Sequence, residues 1–255
     1  MKKFYALANT LVIAGVIFWN YYSNTGAVND KTVGSISDDL YNLFTPAGYA
    51  FAIWGLIFLS LLLFGIHQIR LAFFNGDHSD TIEQVGPWLL IANLGNAAWV
   101  YFWLTEQTGI SVLVMLVILL ALLKCVINLN MQLEPASLMK KAFVWWPIAL
   151  YSGWITVATI ANIAAYLAKM NWEWLLNEAQ WTLAMIAIAA TLNLVVLYKR
   201  RMPVFAGVCV WALVAIALRH KEEYIALYYI ALMWAVFLAI AIIVSLIKKP
   251  PSIAR

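Results

Sequence analysis

Charge is scarce in this sequence. Only 11% of its 255 residues are Asp, Glu, Lys or Arg, against about 25% in an ordinary soluble domain. A water-soluble fold of this size lacks the polar surface it needs. Cysteine is scarcer still. Cys125 and Cys209 stand far apart and form no C-x-x-C pair, which argues against a disulfide framework and against a zinc site. The histidines His67, His78 and His220 are isolated from one another, so no facing pair can hold a haem iron. No nucleophile and base stand in catalytic relation, and the reading is of a protein that is not an enzyme, with no catalytic residue and no metal site.

The apolar stretches are also empty of charge. Their cores contain no Asp, Glu, Lys or Arg, where ion-coupled pumps and transporters place ionisable groups. The last stretch has no internal lysine, which excludes a retinal Schiff base there. The net charge of +4 sits between apolar blocks instead of along one face, so nucleic acid is not an expected partner.

What fills the chain is hydrophobic sequence, 65% of all residues. Eight apolar segments emerge, at about 4–22, 46–69, 87–104, 109–129, 142–168, 179–198, 203–218 and 224–247. A bilayer takes roughly 20 residues of helix; the seventh segment is short, at roughly 24 Å. Continuous runs exclude a barrel, whose strands alternate over ~10 residues. The expected fold is an all-α integral membrane protein with eight transmembrane helices in contact with membrane lipid. With the N-terminus inside, twelve basic residues fall on the inner side and four on the outer. The positive-inside rule then places both termini in the cytoplasm, and in a bacterial host the protein in the inner membrane. The run 4–22 exceeds a usual signal-peptide core and reads as a retained first helix.

Two connections bear on function. The first outer loop, 23–45, is rich in turn formers and ends in the apolar stretch Leu40–Phe44. It reads equally as a lid over the bundle or as a flexible connector. The outer turn Arg219-His220-Lys221-Glu222-Glu223 reads as a solvated connector.

Aromatic side chains are plentiful. Trp19, Tyr21, Tyr22, Trp172 and Trp174 fall at segment ends and suit an interfacial belt. Others form helical stripes: Ala92, Asn96, Trp99 and Trp103 in the third segment, and Tyr151, Trp154, Ala158, Asn162 and Ala165 in the fifth. The second segment brings Gly48, Ala52 and Gly55 beside Phe51 and Trp54. A buried amide must find a partner, so these faces point into the protein. Either the amides hold helices together while the aromatics fill the core, or the stripes wall a pocket for a large, flat, mostly apolar molecule.

The same residues carry a resemblance. They are Thr45-Pro46-Ala47-Gly48-Tyr49-Ala50-Phe51-Ala52-Ile53-Trp54-Gly55-Leu56-Ile57-Phe58, then Asn96-Ala97-Ala98-Trp99 with Phe102 and Trp103, and Tyr151-x-x-Trp154-x-x-x-Ala158-Thr159-x-x-Asn162. In these the first 170 or so residues resemble the translocator protein / tryptophan-rich sensory protein (TspO) family. The family's double proline is reduced to Pro46, and its first-loop Trp-Tyr pair has no clear counterpart. The resemblance implies a TspO-like five-helix bundle over 1–170, with 171–255 as a three-helix C-terminal extension. It implies a receptor or sensor-like protein that binds a porphyrin, another tetrapyrrole or a sterol-like molecule under the first loop, with no cofactor required. The pocket walls would be segments one, two, three and five, and the ligand-binding residues Phe51, Trp54, Asn96, Trp99, Tyr151, Trp154, Ala158 and Asn162. A homodimer, or another membrane protein docked on the C-terminal helices, is the expected partner. The rival readings are a structural or assembly subunit of a membrane complex and a facilitator of a neutral solute. Thr191, Asn193, Trp211 and Trp234 are the notable side chains of segments six to eight. Such faces suit lipid and simple packing, and predict a separate layer away from the pocket.

Overall fold

The computed structural model describes residues 1–74, 80–172 and 176–247. Asp77, His78, Trp174 and the Pro250-Pro251 pair lie outside the described residues. Eight long helices coincide with the eight apolar segments: α1 (Lys2–Tyr22), α3 (Ile53–Phe73), α4 (Thr81–Leu104), α5 (Thr108–Asn128), α7 (Trp146–Lys169), α8 (Glu178–Arg200), α9 (Pro203–Arg219) and α10 (Ile225–Ile247). Two short helices, α2 (Val33–Asp39) and α6 (Leu138–Lys140), lie in connections. Wide π-type turns at Ser23–Ala27 and Lys141–Trp145 extend α1 and precede α7, and a 3-10 turn at Gly48–Ala52 leads into α3.

Six of these helical stretches are long and apolar enough to cross a membrane. The two long helices that do not qualify are the polar α4 and the 17-residue α9. α9 is apolar and falls short by length alone. α4 buries Asn93 and Asn96 against other helices, and α9 buries more than half its residues.

α4 also begins earlier than the sequence suggests. The apolar run begins at Pro87, yet the helix opens at Thr81 and carries Pro87 inside it. Ile82 and Val85, both fully buried, anchor the extra turn. Gly86 lets α1 come close, because a Cβ there would stand 2.4 Å from the Tyr5 ring.

α1, α3, α7, α5 and α4 pack in that order into a closed ring of five. α8, α9 and α10 pack on one another and join the ring chiefly through α9 on α7. Polar side chains fasten the ring from inside. Asn20 Nδ2 donates to Asn96 Oδ1 at 2.9 Å, and Trp19 Nε1 donates to the Ala97 carbonyl at 3.0 Å. Trp19 is thus a bridge from α1 to α4, not only a member of the interfacial belt. Tyr21 and Tyr22 stay exposed as belt residues should.

Candidate functional site

A cavity of about 50 Å³ sits inside the ring at the end covered by the first loop. Its floor and walls are aromatic. Phe51 enters from the 3-10 turn before α3, Trp54 from the start of α3, Trp99 and Trp103 from α4, and Trp154 from α7. The rings meet edge to face, Phe51 on Trp154 at 6.2 Å and Trp54 on Trp154 at 6.3 Å, while Trp99 and Trp103 stack at 5.8 Å. Ala158, Ala161 and Ala165 of α7 add small residues to the wall. Such quadrupole-bearing walls favour a flat, polarisable guest.

The indole N–H groups are used unequally. Trp99 Nε1 donates to Asn162 Oδ1 at 2.7 Å, and Trp103 Nε1 donates to the Val33 carbonyl at 3.1 Å. Trp154 is 3% exposed, lines the cavity, and its Nε1 has no partner. Buried donors are nearly always satisfied, so this N–H stands out among the residues of the cavity wall.

Six of the eight expected ligand residues line the cavity: Phe51, Trp54, Trp99, Trp154, Ala158 and Asn162. Asn96 and Tyr151 lie outside its wall. Asn96 accepts from Asn20, and the Tyr151 hydroxyl donates to the Ala92 carbonyl at 3.2 Å. Both therefore tie helices together. Asn162 lines the cavity and also braces it, since Nδ2 donates to Ser111 Oγ at 2.9 Å. Two wall expectations change. α1 contributes no lining residue, whereas α9 contributes Ala212 and Ile216. The C-terminal helices therefore do not all stand away from the pocket.

The first loop covers the cavity. Ser37, Asn42, Phe44, Thr45 and Pro46 form its roof. α2 is stabilised by a capping box in which Thr32 and Ser35 bond reciprocally, and by the Lys31–Asp39 ion pair. That carboxylate pushes the Lys31 ammonium above its usual range, and burial raises the Tyr41 hydroxyl. Asn42 closes a tight turn by accepting from Phe44 N at 3.0 Å.

The turn read as a solvated connector is a clamp on this lid. His220 is fully buried, and its Nε2 stands 2.8 Å from the Leu43 carbonyl. Leu43 N donates to Glu178 Oε1 at 3.0 Å. Both backbone polar groups of one lid residue, Leu43, are thus held by side chains of α8 and of the α9 end. Arg219 pairs with Asp38 at 2.8 Å and lies over the Tyr41 ring. Ala47 N donates to the Ala215 carbonyl, and Trp211 Nε1 to the Ala50 carbonyl, both at 3.1 Å. Lys221, Glu222 and Glu223 remain exposed, and their charge masks the inward histidine.

The family model described as TSPO-like protein matches residues 6–244. The chain belongs to this family. The match runs through α8 and α9 and most of α10, so the likeness of this TSPO-like protein to its family extends past the five segments whose motifs carry it in sequence. Together with the apolar helices, membership makes the TSPO-like chain an integral membrane protein. No curated protein and no solved structure matches it.

Proposed function

We propose that this TSPO-like protein is a receptor or sensor-like binder, not an enzyme, and that it takes a flat, mostly apolar ligand such as a porphyrin, another tetrapyrrole or a sterol-like molecule. The observation that carries this is the Trp154 indole N–H, buried and unpartnered in a cavity walled by aromatic rings. Sites for drug-sized molecules span roughly 300–1,000 Å³, so such a ligand requires the lid to move and the rings to re-pack. The lid is held by separate polar contacts, each worth only about 0.5–1.5 kcal/mol, which suits a cover that opens. Titration with protoporphyrin while following tryptophan fluorescence tests the reading. Quenching is expected, and Trp154→Phe, which keeps a ring and removes the N–H, should bind up to about tenfold more weakly. Equal affinity of the two proteins would remove Trp154 from the site.

A structural or assembly subunit is the second reading. The small volume of the closed cavity favours it. A chain that shows no quenching with any flat ligand, yet purifies with a stoichiometric membrane-protein partner through its C-terminal helices, would establish it. A homodimer is the alternative partner on that surface.

In this proposal all eight long helices span the bilayer, with α7 the most deeply buried and residues 171–255 as an extension of the 1–170 bundle. The termini face the cytoplasm of a bacterial inner membrane. Cys125 and Cys209 are buried, so an added thiol reports alone. Thr25→Cys should label from the outer side and Glu134→Cys only after the inner side is opened. Labelling of both from one side would sink the topology.

A further inference from the structure

Beside the lid a wider cleft of about 670 Å³ opens between the end of α7 and the start of α8. Tyr41 and Asn42 of the lid, Ala164 and Ala168 of α7, and Glu178 and Trp181 of α8 are on its wall. Asn42 lines both this cleft and the inner cavity. On α7 the two chambers share neighbouring positions, Ala161 and Ala165 for the cavity and Ala164 and Ala168 for the cleft. The partition is therefore thin: a lid residue and one edge of a helix.

The chemistry of the two chambers matches. Trp181 Nε1 in the cleft wall is buried and has no partner, as Trp154 Nε1 is in the cavity. An indole N–H can only donate, and both are sealed from the free space of their chambers, so a turn of the ring is what presents each to an acceptor. Among the described residues of the cleft wall Glu178 carries the single formal charge. A carboxylate there opposes an anion by like-charge repulsion. The cleft volume falls within the roughly 300–1,000 Å³ of small-molecule sites, and the cavity of about 50 Å³ does not.

We propose that the cleft is a second ligand subsite, a vestibule that receives an uncharged, acceptor-bearing flat molecule and passes it beneath Asn42 into the cavity. This rests on the ligand reading above and adds the route and the charge preference. The acceptor bonds first to Trp181 and then to Trp154. Passage requires residues 42–44 to shift, which breaks the bonds from Leu43 to Glu178 and His220. The C-terminal helices then serve as one wall of the entrance as well as the latch on the lid.

The test uses the full chain in detergent, with protoporphyrin IX dimethyl ester as the neutral probe and protoporphyrin IX as the dianionic one. Loading is followed by rapid-mixing tryptophan quenching. In Ala168→Cys, attaching a bulky maleimide should slow loading of the ester at least tenfold relative to the same variant unlabelled. Trp181→Phe should slow it severalfold without a new thiol. The ester should load faster than the diacid, and Glu178→Gln should narrow that gap, since the amide oxygen still accepts from Leu43 N while the charge is gone. Unchanged loading in the labelled and Trp181→Phe proteins, or equal rates for ester and diacid in the unaltered chain, overturns the vestibule while leaving the cavity reading intact. No quenching in the unaltered chain overturns both.

Discussion

Gly153→Val should separate α9 from α7 and lower stability by about 1–3 kcal/mol, with a concurrent loosening of the lid. A Cβ at this position would lie 2.7 Å from the Phe205 carbonyl oxygen, 3.2 Å from Phe205 Cα and 3.2 Å from Val208 Cβ. Two of these neighbours are backbone atoms, so no rotamer change gives relief. Close backbone approach at small residues is how membrane helices gain packing energy, and α9 joins the ring mainly at α7. A displaced α9 takes with it the Ala215 carbonyl, Trp211, Arg219 and His220, which all hold the lid or the turn behind it. Denaturant titration in detergent should show the stability loss, and ligand exchange should quicken. Gly207→Ala is the control, since nothing lies within 4 Å of a Cβ there. A Gly153→Val protein as stable as the unaltered one would show that this contact does not set the position of α9.

Gly153 marks the limit of what the sequence makes legible. The helices themselves follow from apolar runs, because a span in hydrocarbon must satisfy its own backbone. The two amide-aromatic stripes point inward for a related reason, and Trp99, Trp103, Trp154 and Asn162 do converge on one cavity. Periodicity gives the face of a helix but not its neighbour. It separates neither Asn96 from Asn162 nor the cavity wall from the helix-to-helix bonds made by Tyr151. The lid contacts are less legible still. Leu43 meets Glu178 and His220 across separations of 135 and 177 residues. In each case a side chain meets a backbone group, which leaves no residue-type signature on the lid. His220 carried a weak sign, an imidazole among four charged neighbours. The complementary charges of Asp38 and Arg219 were another. The apolar run from 87 falls short of the start of α4 because Thr81, Glu83 and Gln84 interrupt the hydrophobic pattern, while the buried apolar pair Ile82 and Val85 extends the helix upstream.

Asn162→Leu should destabilise the ring more than any other single amide replacement in it, by about 1–4 kcal/mol. Leucine keeps roughly the volume and removes every side-chain bond of Asn162, to Trp99 and to Ser111. Trp99 Nε1 loses its 2.7 Å acceptor, and Ser111 Oγ loses the donor at 2.9 Å. A buried group left without its partner costs about 1–3 kcal/mol. Ser111 retains its own bond to the Thr108 carbonyl at 2.8 Å, so the Trp99 N–H carries most of the penalty. The lower end of the range reflects the membrane, where polar contacts average only about 0.6 kcal/mol because the separated helices find other partners. Asn96→Leu should cost less, since its Nδ2 is already buried without a partner while only Oδ1 bonds to Asn20. Replacing Asn96 therefore relieves one unsatisfied group as it breaks one bond. Ser111→Ala should add little to Asn162→Leu, because the two residues form one network joining α5 and α7 and their effects are not additive. Denaturant titration of the three single variants and the double variant in the same detergent measures each term. Equal losses for Asn96→Leu and Asn162→Leu would show that the Trp99 bond is not what holds α4 to α7 at the cavity.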